Sequence, residues 1–103
     1  MAIKLRLRNG WKYKGDDWWE WRAFIDDNGS GDLEKVEYVR YILHSSFPEP
    51  VRRVDTRKGG FALEAEGWGE FKLKAYAHIR GADDVPLTHE LKLEYEPRKG
   101  VSP

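Results

Sequence analysis

The sequence predicts an all-β domain, an immunoglobulin-like sandwich of about seven to eight antiparallel strands. Hydrophobicity alternates with period two along most apolar segments, and no segment sustains a helical period. Clusters of turn-forming residues recur about every ten residues, the spacing of a sandwich whose sheets are built from short strands. At 103 residues the chain suits one core and is too short for two.

In order along the chain, Ile3, Leu5 and Leu7 alternate with Lys4, Arg6 and Arg8. "WWEWRAFID" sets Trp19, Trp21, Ala23 and Ile25 on one face, with Trp18 and Phe24 on the other. In "EKVEYVRYILH" the residues Val39, Tyr41 and Leu43 face inward; Val36 is out of phase with them, which predicts a bulge or a late strand start. "GFALEAEG" adds Phe61, Leu63 and Ala65. The cleanest strand is "GEFKLKAYAHIRG", with Phe71, Leu73, Ala75, Ala77 and Ile79 inward and Lys72, Lys74, Tyr76, His78 and Arg80 outward. Leu91, Leu93 and Tyr95 repeat the pattern against Lys92, Glu94 and Glu96. Between these runs stand Asn9-Gly10, "DDNGSGD", Pro48 with Pro50, "RKGG", Gly67 and "GADD", all residues that favour chain reversal. The organisation expected is one domain over residues 1–97 and a polar, frayed tail over 98–103.

Composition excludes several function classes. Lysine plus arginine (18) equals aspartate plus glutamate (18), so no global field draws the protein onto nucleic acid or an anionic membrane. The chain has no cysteine, which removes disulfide frameworks, thiolate metal sites and thiol catalysis. No stretch is long and apolar enough to span a bilayer, and the N-terminus has no apolar leader segment. The expectation is a cytoplasmic protein, nuclear in a host that has a nucleus. Nothing calls for a cofactor or a metal: His44, His78 and His89 lack the spacing that presents two imidazoles to one ion. His78, on the outward phase of its strand, is expected in solvent. A His44/Ser46 pair suggests a base and a nucleophile, yet no third group or oxyanion site is marked to complete it, so no enzyme is expected.

Five tryptophans are many for this length, and exposed aromatics on sandwich folds can carry sugars. Trp19 and Trp21 are core by phase, and Trp11 is expected to pack beneath an edge. Trp18 is the one of this cluster expected near a binding loop.

Two stretches stand out. "YILHSSFPEPV" drops His44, Ser46 and Phe47 at a strand end, and "EAEGWGEF" sets Trp68 between Gly67 and Gly69. Two rings facing each other form a slot that suits a flat amide. Ser46 would accept from the ligand N–H, and the Trp68 main-chain N–H, approachable because of the flanking glycines, would donate to the ligand carbonyl. The residues alone leave a second reading open, in which Phe47 and Trp68 cap the end of the sandwich.

"VEYVRYILHSSFPEPVRRV" followed by "GFALEAEGWGEFKLKAY" resembles the YEATS family, immunoglobulin-like readers of acylated lysine in histone tails. The motifs stand in the family's order, and with "IKLRL", "EWRAFID" and "THELKLEY" the resemblance covers nearly the whole chain. It implies a non-enzymatic module that binds acetyl- or crotonyl-lysine. Phe47 and Trp68 would be the aromatic walls and His44 a lining residue. Ser46 and the Trp68 N–H would be the polar contacts, and Gly67 and Gly69 would shape the turn. The partner implied is an acylated-lysine peptide or protein, a histone tail in a eukaryotic host. Trp18, with Asp17 as competitor, is the candidate for the first-loop residue that completes the pocket, and Asp84 for an acidic contact to the neighbouring peptide. The compact chain is similar to the prokaryotic branch. The alternatives are a protein-interaction sandwich domain and a small-molecule or carbohydrate binder using the same aromatic end.

Overall fold

The computed structural model describes residues 4–94. They form two antiparallel sheets packed as an immunoglobulin-like sandwich of seven strands. One sheet contains β1 (Arg6–Gly15), β2 (Trp18–Asp26) and β5 (Leu63–Gly67), in the order β1-β2-β5. The other contains β3 (Val36–Ile42), β4 (Val51–Val54), β6 (Lys72–Ile79) and β7 (Val85–Glu90), in the order β4-β3-β6-β7. Alternation dictates the core. Trp19, Trp21, Ala23 and Ile25 from β2 meet Val39 and Tyr41 from β3 and Leu73, Ala75, Ala77 and Ile79 from β6, and all are buried. Each valine, leucine or isoleucine removed from water in this way contributes roughly 1.5–3 kcal/mol. Val36 opens β3 and is itself buried, and the β3/β6 register slips between Val36 and Tyr38. The phase break in the sequence is that irregularity.

The first reversal differs from expectation. Asn9-Gly10 is not a turn but lies inside β1, opposite Ala23 and Arg22. Asn9 acts there as a second peptide group. Its Nδ2 donates to the Lys92 carbonyl (2.8 Å), and its Oδ1 accepts from the Lys92 N–H (3.0 Å) and from His89 Nε2 (2.6 Å). This ties the edge strand to the segment after β7. Burial pushes the His89 imidazole below its ordinary value, consistent with a neutral ring donating through Nε2. The chain turns instead at Asp16-Asp17, both at positive φ (54° and 56°) between the paired residues Gly15 and Trp18. Two left-handed residues in a two-residue loop give the turn whose twist matches the flanking strands, and aspartate tolerates that conformation.

The crossing from β4 to β5 is a single helical turn over Lys58–Phe61, interrupted by Gly59 and Gly60 in left-handed conformation. Gly60 is fixed by contact: a Cβ there would collide with the Ile25 carbonyl. Phe61, expected in the strand, precedes it at φ 56° and is buried. Its carbonyl accepts the Tyr41 hydroxyl at 2.6 Å, a bond from β3 to the chain entering the opposite sheet. Burial raises the Tyr41 phenol well above its ordinary range.

The last strand is also displaced from expectation. The pairing with β6 is made by Val85–Glu90, and Leu91–Glu94 carries no strand, although Leu91 and Leu93 are buried as their phase requires. Trp19 Nε1 donates to the Glu94 carbonyl at 2.8 Å, which holds this segment over the core. Ile3, Tyr95, Glu96, the 97/98 boundary and the polar tail lie outside the described residues. Among the described residues no helix is long and apolar enough to cross a membrane.

Candidate functional site

β2 starts, β3 ends, β5 ends and β6 starts at the same end of the sandwich, so their boundary residues converge. A cleft of about 340 Å³ opens there, lined by Trp18, His44, Ser46, Phe47, Pro48, Glu66, Gly67, Trp68, Gly69, Glu70 and Phe71. Seven of the residues singled out from the sequence for binding are in that lining: His44, Ser46, Phe47, Gly67, Trp68, Gly69 and Trp18.

Phe47 forms the inner wall. It is half-buried and packs edge-on against Trp21 (centroids 6.2 Å, 86°) and tilted against Phe71 (5.6 Å). Trp68 stands at the mouth, 72% exposed. Trp18, 40% exposed, is held by a hydrogen bond from its Nε1 to Glu66 Oε1 at 2.8 Å. Asp17, its competitor in the sequence, is exposed at the β1–β2 turn and outside the cleft lining; its N–H donates to the Tyr13 hydroxyl.

His44 and Ser46 form a local pair with a defined polarity. The Ser46 N–H donates to His44 Nδ1 (3.1 Å), so Nδ1 carries a lone pair and the ring proton resides on Nε2. The only proton left between Nδ1 and Ser46 Oγ, 2.8 Å apart, is the hydroxyl's own. The hydroxyl therefore donates to the ring, and its lone pairs remain for a ligand N–H. The pair is exposed, and among the described residues no carboxylate lies within salt-bridge distance of the His44 ring to orient it as a base. No group of three or more His, Asp or Glu among the described residues is arranged to hold a metal.

The glycines differ in kind. Neither Gly67 nor Gly69 has positive φ, so the turn does not require glycine for its backbone angles. Gly67 is buried where a Cβ would meet Phe47 Cζ at 3.6 Å and Trp21 Nε1 at 3.8 Å; at Gly69 a Cβ would meet open space.

Phe71, Glu66 and Glu70 line the cleft without having been singled out. Phe71 shares the core phase of its strand and Glu66 the solvent phase, so alternation accounts for both without a site. Glu70 Oε2 is occupied by the Leu93 N–H at 2.8 Å.

Two expectations are corrected. Asp84 is not near the cleft: it precedes β7 at the opposite end of the sandwich, where its Oδ1 bonds His78 Nδ1 at 2.8 Å. His78 is correspondingly not free in solvent. It is half-buried, stacks on Tyr38 (4.6 Å, 17°) and sits 3.4 Å from Glu37. Outward phase in a sheet places a side chain on the face but does not decide whether cross-strand neighbours cover it.

Trp11, expected beneath an edge, lies in edge strand β1 opposite Trp21 and is 40% exposed.

A family model described as a prokaryotic YEATS domain matches residues 19–92. Among curated relatives, Protein AF-9 homolog of Eremothecium gossypii is 32% identical over 77 residues, covering 71% of this chain and 36% of that protein. Something about silencing protein 5 of Saccharomyces cerevisiae is 32% identical over 79 residues, covering 74% and 31%. The chain thus spans about a third of the length of the curated relatives it matches. Among solved structures, the Yaf9 YEATS domain bound to H3K27ac superposes with a TM-score of 0.72 at 22% identity, covering 89% of this chain and 75% of that one. The Yaf9 YEATS domain recognising an H3K122suc peptide superposes with 0.62 at 22% identity, covering 86% and 68%.

Proposed function

This chain belongs to the prokaryotic YEATS domain family, and on that premise we propose that it is a non-enzymatic module that binds an acylated lysine side chain in the end cleft. The observation that carries the reading is convergence: two separate motifs bring two aromatic rings, a hydroxyl with free lone pairs and an approachable main chain to one opening. Phe47 and Trp68 clasp the planar amide. Ser46 Oγ accepts from its N–H, and the Trp68 main-chain N–H donates to the acyl oxygen. His44 holds the Ser46 hydroxyl in the accepting orientation, Gly67 and Gly69 let the ligand approach the backbone, and Trp18 flanks the mouth. The solved relatives bound to acetylated and succinylated histone peptides support a ligand of this class.

A flat unsaturated acyl group such as crotonyl stacks best between rings, so crotonyl is expected to bind more tightly than acetyl. The partner is an acylated-lysine peptide or protein, a histone tail in a eukaryotic host. One side chain in a slot offers little area, so affinity is modest unless flanking contacts or linked modules add to it.

NMR titration of the labelled chain with acetyl- and crotonyl-lysine peptides tests this. Saturable shifts centred on 44–48 and 66–71 are expected. Absence of shifts with either peptide overturns the reading in favour of a protein-interaction domain, and a response to oligosaccharides instead favours the sugar-binding alternative.

A further inference from the structure

We propose that a hydrogen-bond donor lying behind the cleft lining, the indole Nε1–H of Trp21, receives an oxygen carried on the acyl tail of the ligand, a hydroxyl or a terminal carboxyl. This deepens the acyl-lysine reading and rests on it.

Trp21 is 2% exposed, and its Nε1 is a buried side-chain polar atom with no hydrogen-bond partner among the described residues. The neighbouring tryptophans of β2 do not share this condition: Trp18 Nε1 is taken by Glu66 and Trp19 Nε1 by the Glu94 carbonyl. Buried polar groups are nearly always paired, so an unpaired one calls for a partner that arrives from elsewhere. The position of this one says where from. The Trp21 ring touches Phe47 and Phe71, both part of the cleft lining. The third neighbour is Gly67, whose absent side chain leaves a gap flanked by Nε1 on one side and the Phe47 ring edge on the other. The indole is larger than a phenyl ring, so Trp21→Phe removes the N–H together with part of the apolar contact in the core.

With the amide held at Ser46 and Trp68, the acyl tail runs inward along Phe47 toward Gly67. Nε1 is covered in the free protein, so the ligand oxygen reaches it as the Phe47 ring edge yields. Phe47 is half-buried on the bend between β3 and β4, where such a shift disturbs no strand pairing. A purely hydrocarbon tail leaves the N–H unpaired, whereas a tail with an oxygen at the right depth satisfies it.

The experiment uses the ¹⁵N-labelled full chain and lysine peptides acylated with butyryl, 3-hydroxybutyryl or succinyl groups. The Trp21 indole resonance is assigned in the parent from its through-space contacts to the Phe47 and Phe71 rings. The oxygenated ligands are expected to move that resonance downfield and slow its hydrogen exchange, and butyryl is not. The ratio of 3-hydroxybutyryl to butyryl affinity is expected to be about five in the parent, the scale of one neutral hydrogen bond, and about one in Trp21→Phe. Because the ratio compares two ligands on one protein, a general loss of stability in the variant cancels; if that variant does not fold, the parent's resonance decides. Binding of all ligands with the indole resonance unmoved and a ratio near one overturns this proposal and leaves the acyl-lysine reading intact. Slow exchange already present in the free protein and unchanged by ligand identifies a trapped water and also overturns it. Binding of none of the peptides overturns both.

Discussion

The two ends of the sandwich hold similar residue types and use them oppositely. At the end marked by His78, the polar groups around the imidazole pair with one another. Asp84 and Glu37 flank the imidazole, Arg80 Nε bonds Glu37 at 2.7 Å, Arg53 bonds Asp55 at 2.8 Å, and the Arg53 guanidinium lies 3.7 Å over the Tyr38 ring. Asp55 holds the Arg53 guanidinium still further above its already high ordinary value. At the end marked by His44, the imidazole turns its Nδ1 inward on Ser46, the hydroxyl keeps its lone pairs, and the Trp68 indole is mostly in water. Groups that satisfy one another have little left for a ligand; groups held in place but unsatisfied are the physical content of a binding site.

That contrast can be broken by substitution. The largest effect is expected from Trp68→Ala, which removes an exposed wall. Peptide affinity should fall about thirty-fold or more, as for a central aromatic contact, while stability to denaturant changes by less than about 0.5 kcal/mol. Unchanged affinity by calorimetry would mean that the slot is not the site. Ser46→Ala should weaken binding by about ten-fold, because the ligand N–H then enters the cleft without an acceptor. A larger drop for Trp68→Ala than for Ser46→Ala ranks ring stacking above the hydroxyl contact.

Stability is governed between the two ends. Tyr41→Phe leaves the buried Phe61 carbonyl without its donor and should cost about 1–3 kcal/mol in urea unfolding, with binding otherwise preserved. Burial favours the neutral phenol in the fold, so stability is insensitive to this group below the ordinary phenol value of about 10 and falls as pH rises above it. The Tyr41→Phe variant should lose that part of the alkaline decline. The smallest effect belongs to the satisfied end. His78→Ala breaks contacts whose partners are partly solvated, and is expected to cost about 1 kcal/mol or less with no change in peptide affinity. If binding changed as much as in Ser46→Ala, the two ends would be coupled and the contrast drawn between them would fail.

How much of this was legible depended on the kind of signal. Period-two alternation located the inward residues of β2, β3 and β6, because the pleat fixes which side chains share a face. It missed β4, whose Val51–Val54 offers only a short edge segment, and it placed the last strand too late, since Leu91 and Leu93 keep an inward phase without pairing. Asn9-Gly10 carried a stronger turn signal than Asp16-Asp17, yet the tie from Asn9 to Lys92 and His89 keeps it in the strand. No local rule sees a partner that distant in sequence.

The same division holds for the cleft. At the cleft the chain by itself put His44 and Trp68 at the ends of alternating runs, because turn chemistry and alternation are local properties, and the two motifs singled out His44, Ser46, Phe47 and Trp68 as candidates before any packing was known. Only the tertiary structure decided which strand ends meet. It put Phe71 and Glu66 into the lining, carried Asp84 to the far end, and left the Trp21 N–H unpaired beneath Gly67. Those outcomes depend on pairing and register between segments far apart in the chain, and a sequence pattern read one segment at a time contains no term for them.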